Sequence, residues 1–443
     1  VSGILSPNTT LERKLNKNQI EALQLIKDEQ DNVGPGFCVL KWYHLEMHLG
    51  TGESHSCYHC PTQKIPLGAD LHNTPQKIEK RAEMLQGNKP SECSYCWEVE
   101  DLGLISDRQT LAVQFFKHNR DIVKEATDAG TGYVYPKYLE LSFTNKCQLA
   151  CSYCGPVFST TWEREIEEKG PYNLSIPYNK IESPQIENSP YVSKFWKWFP
   201  QAYKHLFVLR VTGGEPLLDK NTYKLLQYVK DNPRKGLTFH CNSNLMVSEN
   251  RVKKYIGLVK DIPNTKLYAS IDSWGKQAEY IRHGLDTSHF EENLHRLLGN
   301  GISVGIMNTF NFLSIHNIEE FIFKMAELKN TYGDLITIDM PYMTNPEHLS
   351  AQILDDTHIS IMENSLKTME MYDVFSTAEI EKYRKTVGWI KANRFQDLEL
   401  LKHRRDFWHF VYEHDKRRGT DFKDAFPNIG FNNGPIESRL LGS

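Results

Sequence analysis

YLELSFTNKCQLACSYCGP, residues 138–156, places an apolar-alternating strand directly before Cys147, Cys151 and Cys154 in the spacing C-x3-C-x2-C. Three thiols this close cannot all pair as disulfides. A short loop does let three sulfurs face one point, and thiolates suit iron–sulfur clusters and zinc. A structural zinc site usually takes four protein ligands. Three Cys with no adjacent His point instead to a [4Fe-4S] cluster with one iron left open for a substrate or cosubstrate.

Outward from this loop, strand and helix patterns alternate from Tyr133 to Tyr342. Strands are expected at 138–144, 207–212, 237–242, 266–272, 303–310 and 335–340, and helices at 191–205, 220–230, 248–260, 290–298 and 318–329. Six strands with helices between them imply an α/β fold, a parallel sheet or incomplete barrel. The active site of such a fold sits at the C-terminal ends of the strands, and the Cys loop leaves the first strand at that end. The connection 157–190 is long and polar and contains Pro171, Pro177, Pro184 and Pro190, so a lid-like insertion is expected there. Residues 346–443 read as a helical extension. Within it LLKHRRDFWHFVYEHDKRRGTDF is a basic amphipathic helix, expected to pack Phe407, Trp408 and Val411 inward and to keep its charges solvated.

The second strand ends in VTGGEPLL, residues 211–218. Gly213 and Gly214 remove side chains where a backbone approaches something closely. Their carbonyls and the Glu215 carboxylate can accept hydrogen bonds from an ammonium group, and Pro216 fixes the turn. On the same rim as the Cys loop, this stretch is far more specific than it is alone.

Before the barrel, residues 1–36 read as a polar helix and linker, and residues 37–132 as a small Cys-rich module. Cys57 and Cys60 form one C-x2-C pair and Cys93 and Cys96 another, a strong metal-site pattern because each pair grips a metal from a tight knuckle. Cys38 is a fifth candidate, returned by a hairpin around Thr51-Gly52. Spacing alone favours Cys60 over Cys38. Zinc is the competing occupant. Cys241, alone on the third strand, reads as a small buried residue.

The chain has 443 residues, 40% hydrophobic and 24% charged, with a net charge of −4. That composition is ordinary for a globular protein and gives no support to a nucleic-acid or membrane-surface role. Eight of the nine Cys fall in two clusters, which in a reducing compartment read as metal ligands. The opening VSGILSPNTTLERKLNK has no apolar signal core and no run reaches transmembrane length, so a cytoplasmic location is expected.

The C-x3-C-x2-C loop followed by Gly213-Gly214-Glu215-Pro216 resembles the radical S-adenosylmethionine superfamily. The resemblance covers residues 138 to about 346 and implies a partial (β/α)6 TIM barrel over 133–345. It also implies that Cys147, Cys151 and Cys154 hold a [4Fe-4S] cluster whose open iron chelates S-adenosylmethionine. By the same resemblance Tyr153 lies near the adenine, and Gly213 to Pro216 hold the methionine ammonium. Ser270, Asp272, Arg282 and Asn308 are looser matches for the ribose and carboxylate; each also reads as an ordinary strand-end or helix-start polar residue. The pattern C-x13-G-x4-C over Cys38, Gly52 and Cys57, with Cys93 and Cys96, resembles the twitch or SPASM auxiliary-cluster module, here ahead of the barrel. That resemblance makes Cys38, Cys57, Cys93 and Cys96 ligands of a second [4Fe-4S] cluster and leaves Cys60 as a spare or alternate.

The activity implied is reductive cleavage of S-adenosylmethionine to a 5′-deoxyadenosyl radical, which abstracts a substrate hydrogen. Oxidative modification of a peptide or protein is the first expectation, with the auxiliary cluster as electron acceptor. A small-molecule dehydrogenase or epimerase acting on a sugar or nucleoside is the alternative, and a non-catalytic iron–sulfur or zinc protein a further one. A reductase such as flavodoxin or ferredoxin is the expected electron-donating partner.

Overall fold

A computed structural model of the chain describes residues 17–427 and 429, apart from 102, 104 and 180–188. The described strands are β1 (His44–His48), β2 (Glu53–His55), β3 (Gln63–Lys64), β4 (Tyr138–Ser142), β5 (Ala150–Cys151), β6 (Val208–Thr212), β7 (Thr238–Ser243), β8 (Thr265–Ser270), β9 (Arg282–His283), β10 (Ser303–Met307) and β11 (Ile336–Asp339). Helices separate the longer ones where the sequence periodicity places them, among them Pro190–Tyr203, Lys220–Asp231, Glu249–Val259, Thr287–Gly299 and Ile318–Tyr332. The described residues fall into two compact units, within the bounds Val1–Lys146, Glu182–Ser243 and Asn250–Leu267 for one and Cys147–Ile181, Asn244–Glu249 and Tyr268–Ser443 for the other.

In the first unit β4 pairs in parallel with β6, and β6 with β7. The expected hairpin around Thr51-Gly52 is present, with Glu46 opposite His55 across β1 and β2. β1 has a second partner that its sequence does not announce: it runs parallel to β4, with Glu46 beside Glu140. The strand order is therefore β7-β6-β4-β1-β2-β3. All five residues of β1 and all five of β4 are buried, as befits strands covered on both faces. The Cys-rich stretch closes around Phe37, Trp42, Trp97, Phe115 and Phe116. Buried Arg81 donates to Asn73 Oδ1 at 2.9 Å and to the Lys41 carbonyl at 3.2 Å, pinning the helix Pro75–Leu85 to this core.

In the second unit the strand order is β11-β10-β8, with β10 and β11 parallel. A small antiparallel ladder joins β5 to β9, setting Cys151 opposite Arg282. Parallel strands alternating with helices confirm the α/β partial-barrel class, and helical material follows β11. The helix Asp397–Arg418 buries Phe407, Phe410 and Val411, while Trp408 is only half-buried. Its charges are not all solvated, contrary to the amphipathic reading. Arg404 donates to the Ile353 carbonyl at 2.8 Å, and Arg418 donates to the Ala150 carbonyl at 2.6 Å and pairs with Glu165 at 2.9 Å. Partners buried elsewhere in the unit compensate these cations, which is what permits their burial.

No described helix is long and apolar enough to cross a membrane. The end strand β11 is anchored by a buried carboxylate. Glu379 Oε1 accepts from Ile338 N at 2.8 Å and from Lys329 Nζ at 3.0 Å, and Glu379 Oε2 closes a capping box with Ser376. One side chain thus satisfies a strand-edge donor, a lysine and a helix N-terminus. Replacing it strands a buried ammonium, so Glu379→Ala is expected to cost about 3–5 kcal/mol, read as a lower urea midpoint. Burial raises the Glu379 pKa, but its hydrogen bonds with Ser376, Lys329 and Ile338 outweigh that and depress it. Its stabilisation is therefore complete above the unfolded carboxyl pKa and fades as pH falls through the depressed folded value.

Candidate functional site

The loop after β4 is held from outside by side-chain donors. Thr160 and Thr161 hydroxyls donate to the Cys147 carbonyl at 3.0 and 2.9 Å, and Ser159 to that of Leu149 at 2.6 Å. Trp162 Nε1 reaches the Cys151 carbonyl at 2.8 Å. The Tyr178 hydroxyl serves those of Ser152 and Cys154, and Asn179 also reaches Cys154, at 2.7 Å. These groups all come from residues 157–179. The insertion read as a lid contains the helix Thr160–Lys169, and this described part grips the Cys loop; residues 180–188 lie outside the described chain.

With the carbonyls taken, the sulfurs receive donors of their own. Asn244 Nδ2 lies 3.5 Å from Cys147 Sγ, and Arg282 Nη1 lies 3.7 Å from Cys151 Sγ. Donors aimed at sulfur are what a thiolate ligand needs and a neutral buried thiol does not. Burial pushes the Cys154 thiol up to about 12, and raises that of Cys151.

Arg282 is itself locked. Asp272 takes its Nε at 2.8 Å and Nη2 at 3.1 Å, and the Tyr153 hydroxyl bridges the pair, 2.5 Å from Arg282 Nη2 and 2.8 Å from Asp272 Oδ2. Thr309 N donates to Asp272 Oδ1 at 2.9 Å, and Asn308 Nδ2 donates to the Asp272 carbonyl at 2.9 Å. Four expected residues, Tyr153, Asp272, Arg282 and Asn308, therefore form one network. Burial pushes the Tyr153 phenol well above its usual range. Asn308 Oδ1 is buried with no hydrogen-bond partner, an acceptor awaiting a donor. Ser270 ends β8, half-buried.

In the first unit, β6 leads into Gly213 with φ at +118°, a conformation that side chains disfavour. A Cβ on Gly213 would stand 2.4 Å from Ser142 Oγ, and one on Gly214 2.5 Å from the Lys146 carbonyl. Glu215 N donates to that same carbonyl at 2.8 Å. The glycines thus let β6's exit lie directly on residues 142–146. Glu215 is buried, and its Oε1 accepts from Leu217 N and from Ser243 Oγ, both at 2.9 Å. Pro216 opens the helical turn Pro216–Leu218.

Also in the first unit, Cys38, Cys57, Cys93 and Cys96 line a single cavity with Trp97 and Arg108. Cys60 lies outside that lining, 3.4 Å from Cys57 Sγ and 3.9 Å from Cys93 Sγ, with Lys41 Nζ at 3.6 Å. Thiol hydrogen bonds from Cys57 and Cys93, together with Lys41, hold the Cys60 thiol below its usual range. A zinc ion with bonds of about 2.3 Å would draw its sulfurs to about 3.8 Å apart. Among the described residues no three cysteine sulfurs lie within 4.8 Å of one another, but Cys60 and Cys93 come within that reach together with Glu92, a set that could hold a single ion.

Sequence reasoning missed Asn244, the carbonyl-gripping residues 159–162 and Arg418. The polar run Asn242-Ser243-Asn244 at a strand end was a usable signal for the first; Arg418, at the far end of the chain, carried none.

Fold and loop define a partial-barrel α/β protein with a cysteine loop after one of its strands. Residues 141–325 match the radical SAM superfamily, a family of enzymes that use a [4Fe-4S] cluster and S-adenosylmethionine. Solved structures with some likeness include Streptococcus suis SuiB bound to S-adenosylmethionine, at 10% identity and TM-score 0.38 over 74% of this chain and 68% of that one. SuiB bound to precursor peptide SuiA gives 13% and 0.33 over 65% and 60%. anSMEcpe with bound AdoMet and Cp18Cys peptide gives 15% and 0.33 over 52% and 59%. No curated protein sequence matches significantly.

The Gly214 contact is against backbone, which cannot swing aside. Gly214→Ala is expected to destabilise the protein by roughly 1–3 kcal/mol, measured by thermal or urea unfolding, whereas Gly236→Ala, which meets nothing within 4 Å, is expected to stay within about 0.5 kcal/mol.

Proposed function

We propose that the chain is a two-cluster radical S-adenosylmethionine enzyme that oxidatively modifies a peptide or protein. The observation that carries the first half is the Cys147–Cys154 loop, its carbonyls gripped from outside and two of its sulfurs met by Asn244 and Arg282. Cys147, Cys151 and Cys154 ligate one [4Fe-4S] cluster. When bound, that cluster supplies the electron that cleaves S-adenosylmethionine, and the resulting 5′-deoxyadenosyl radical takes hydrogen from the substrate. Gly213 to Pro216 offer backbone to the methionine ammonium. Asn308 Oδ1 and Ser270 are the free polar positions for the cosubstrate's ribose or ammonium. Asp272 and Arg282 act by orienting Tyr153 and hydrogen-bonding Cys151, which tunes a cluster through its sulfurs.

The cavity lined by Cys38, Cys57, Cys93 and Cys96 supports the second [4Fe-4S] cluster, an acceptor for the substrate electron in a net oxidation. Cys60 is the spare thiol. A flavodoxin- or ferredoxin-like reductase is the donor this chemistry calls for. One observation favours the small-molecule reading: Glu140, Arg210 and His240 lie in register across β4, β6 and β7, with Arg210 3.7 Å from Glu140 and 3.1 Å from Asn242 Oδ1. Such a polar row would recognise a sugar or nucleoside.

Anaerobically reconstituted protein is expected to bind about eight irons and, when reduced, to form 5′-deoxyadenosine from S-adenosylmethionine. Cys151→Ala loses about four irons and all product. Cys57→Ala loses about four irons but retains S-adenosylmethionine cleavage, and Cys60→Ala keeps all eight. Absence of 5′-deoxyadenosine from the fully loaded wild type refutes the proposal.

A further inference from the structure

The hairpin carrying HLEMH and ESH brings together residues that the cysteine sites do not use. Glu46 and His55 are directly opposite across β1 and β2, and His48 lies two residues along from Glu46, on the same face. His55 Nε2 stands 3.2 Å from Glu46 Oε1, and His48 Nε2 stands 3.8 Å from the same oxygen. One ligand atom from each residue fits within 4.8 Å of the other two. The side chains are only 10–12% exposed.

The hydrogen bonding fixes one ring and leaves one carboxylate oxygen unmet. His55 Nδ1 lies 2.8 Å from the Cys57 carbonyl, which can only accept, so Nδ1 carries the proton. In the neutral ring Nε2 then presents a lone pair to the Glu46 carboxylate. Glu46 Oε2 is buried with no hydrogen-bond partner, and His55 Nε2 faces Glu46 Oε1 at 3.2 Å. On the neighbouring strand Glu140 sits beside Glu46 in register, but it faces Arg210. Two imidazoles and a carboxylate, one imidazole oriented through its far nitrogen by a carbonyl, are the ligands and outer contact of a transition-metal site.

We propose that Glu46, His48 and His55 bind a divalent first-row transition-metal ion, separate from either cysteine group. Three protein ligands leave a position open for water or for an oxygen of the substrate. The site lies on the sheet face that Glu140 and Arg210 share, so an ion there adds a Lewis-acidic anchor to that polar row.

The test uses the full chain with its clusters loaded, dialysed against Zn²⁺ and examined by metal counting and zinc K-edge X-ray absorption. One zinc per chain is expected, with nitrogen and oxygen scatterers at about 2.0–2.1 Å and none at the zinc–sulfur distance of about 2.3 Å. The stoichiometry falls by one in His48→Ala and in His55→Gln, with iron content unchanged, and is kept in Cys60→Ala. Sulfur scatterers in the wild type would place the ion at the thiols and overturn the proposal. Equal zinc in wild type and His55→Gln would reduce the cluster to a protonated His55–Glu46 ion pair and overturn it as well.

Discussion

Side-chain donors meet the carbonyls of Cys147, Leu149, Ala150, Cys151, Ser152 and Cys154, and the second unit depends on that grip. A loop that must turn three sulfurs toward one point cannot satisfy its own backbone by a regular ladder. Buried carbonyls left open would each cost about 1–3 kcal/mol. The donors come from Ser159, Thr160, Thr161, Trp162, Tyr178, Asn179 and Arg418, so the segment after the loop and the last long helix are organised by it. Once those donors are engaged, Arg282 and Asn244 are side chains left to face the sulfurs of Cys151 and Cys147.

The first unit solves a different problem. Its sheet carries polar side chains on a face that is nonetheless largely buried: Glu46, Glu140, Arg210 and His240 occupy successive strands. Burial of this kind is tolerable where charges pair or bind something. Glu140 has Arg210 and two tyrosines, Tyr58 and Tyr138, whose hydroxyls lie 3.3 and 3.0 Å from Glu140 Oε2. Glu46 has His55 and His48 at 3.2 and 3.8 Å among the described residues. The same β1–β2 hairpin leads directly to Cys57, so residues that line the cysteine cavity and residues that fill the polar face share one short piece of chain.

Much of this was legible in the sequence. Alternating apolar residues gave six strands and the helices between them within a few residues, because parallel core strands and amphipathic helices leave strong periodic signals. The two Cys groups stand out as candidate metal ligands by spacing alone. The pairing of β1 with β4 did not: HLEMH buries His44, Glu46 and His48, so its polar positions look like a solvent face. The tight approach of Gly213 and Gly214 to residues 142–146 was visible as a need for glycine but not as to its partner. Arg418 was read as solvated because its partner Glu165 lies 253 residues earlier. Seeing which of the five N-terminal Cys line one cavity took three dimensions, since the spacing that favours Cys60 says nothing of it.

The account turns on Cys147, Cys151 and Cys154 holding a cluster with an iron open to S-adenosylmethionine. Electron paramagnetic resonance of the reduced Cys57→Ala protein, in which the account leaves that cluster alone, tests this most directly. Adding S-adenosylmethionine should shift the g-values of the [4Fe-4S]⁺ signal as the open iron gains amino and carboxylate ligands. A reduced-cluster spectrum that S-adenosylmethionine leaves unchanged would contradict it.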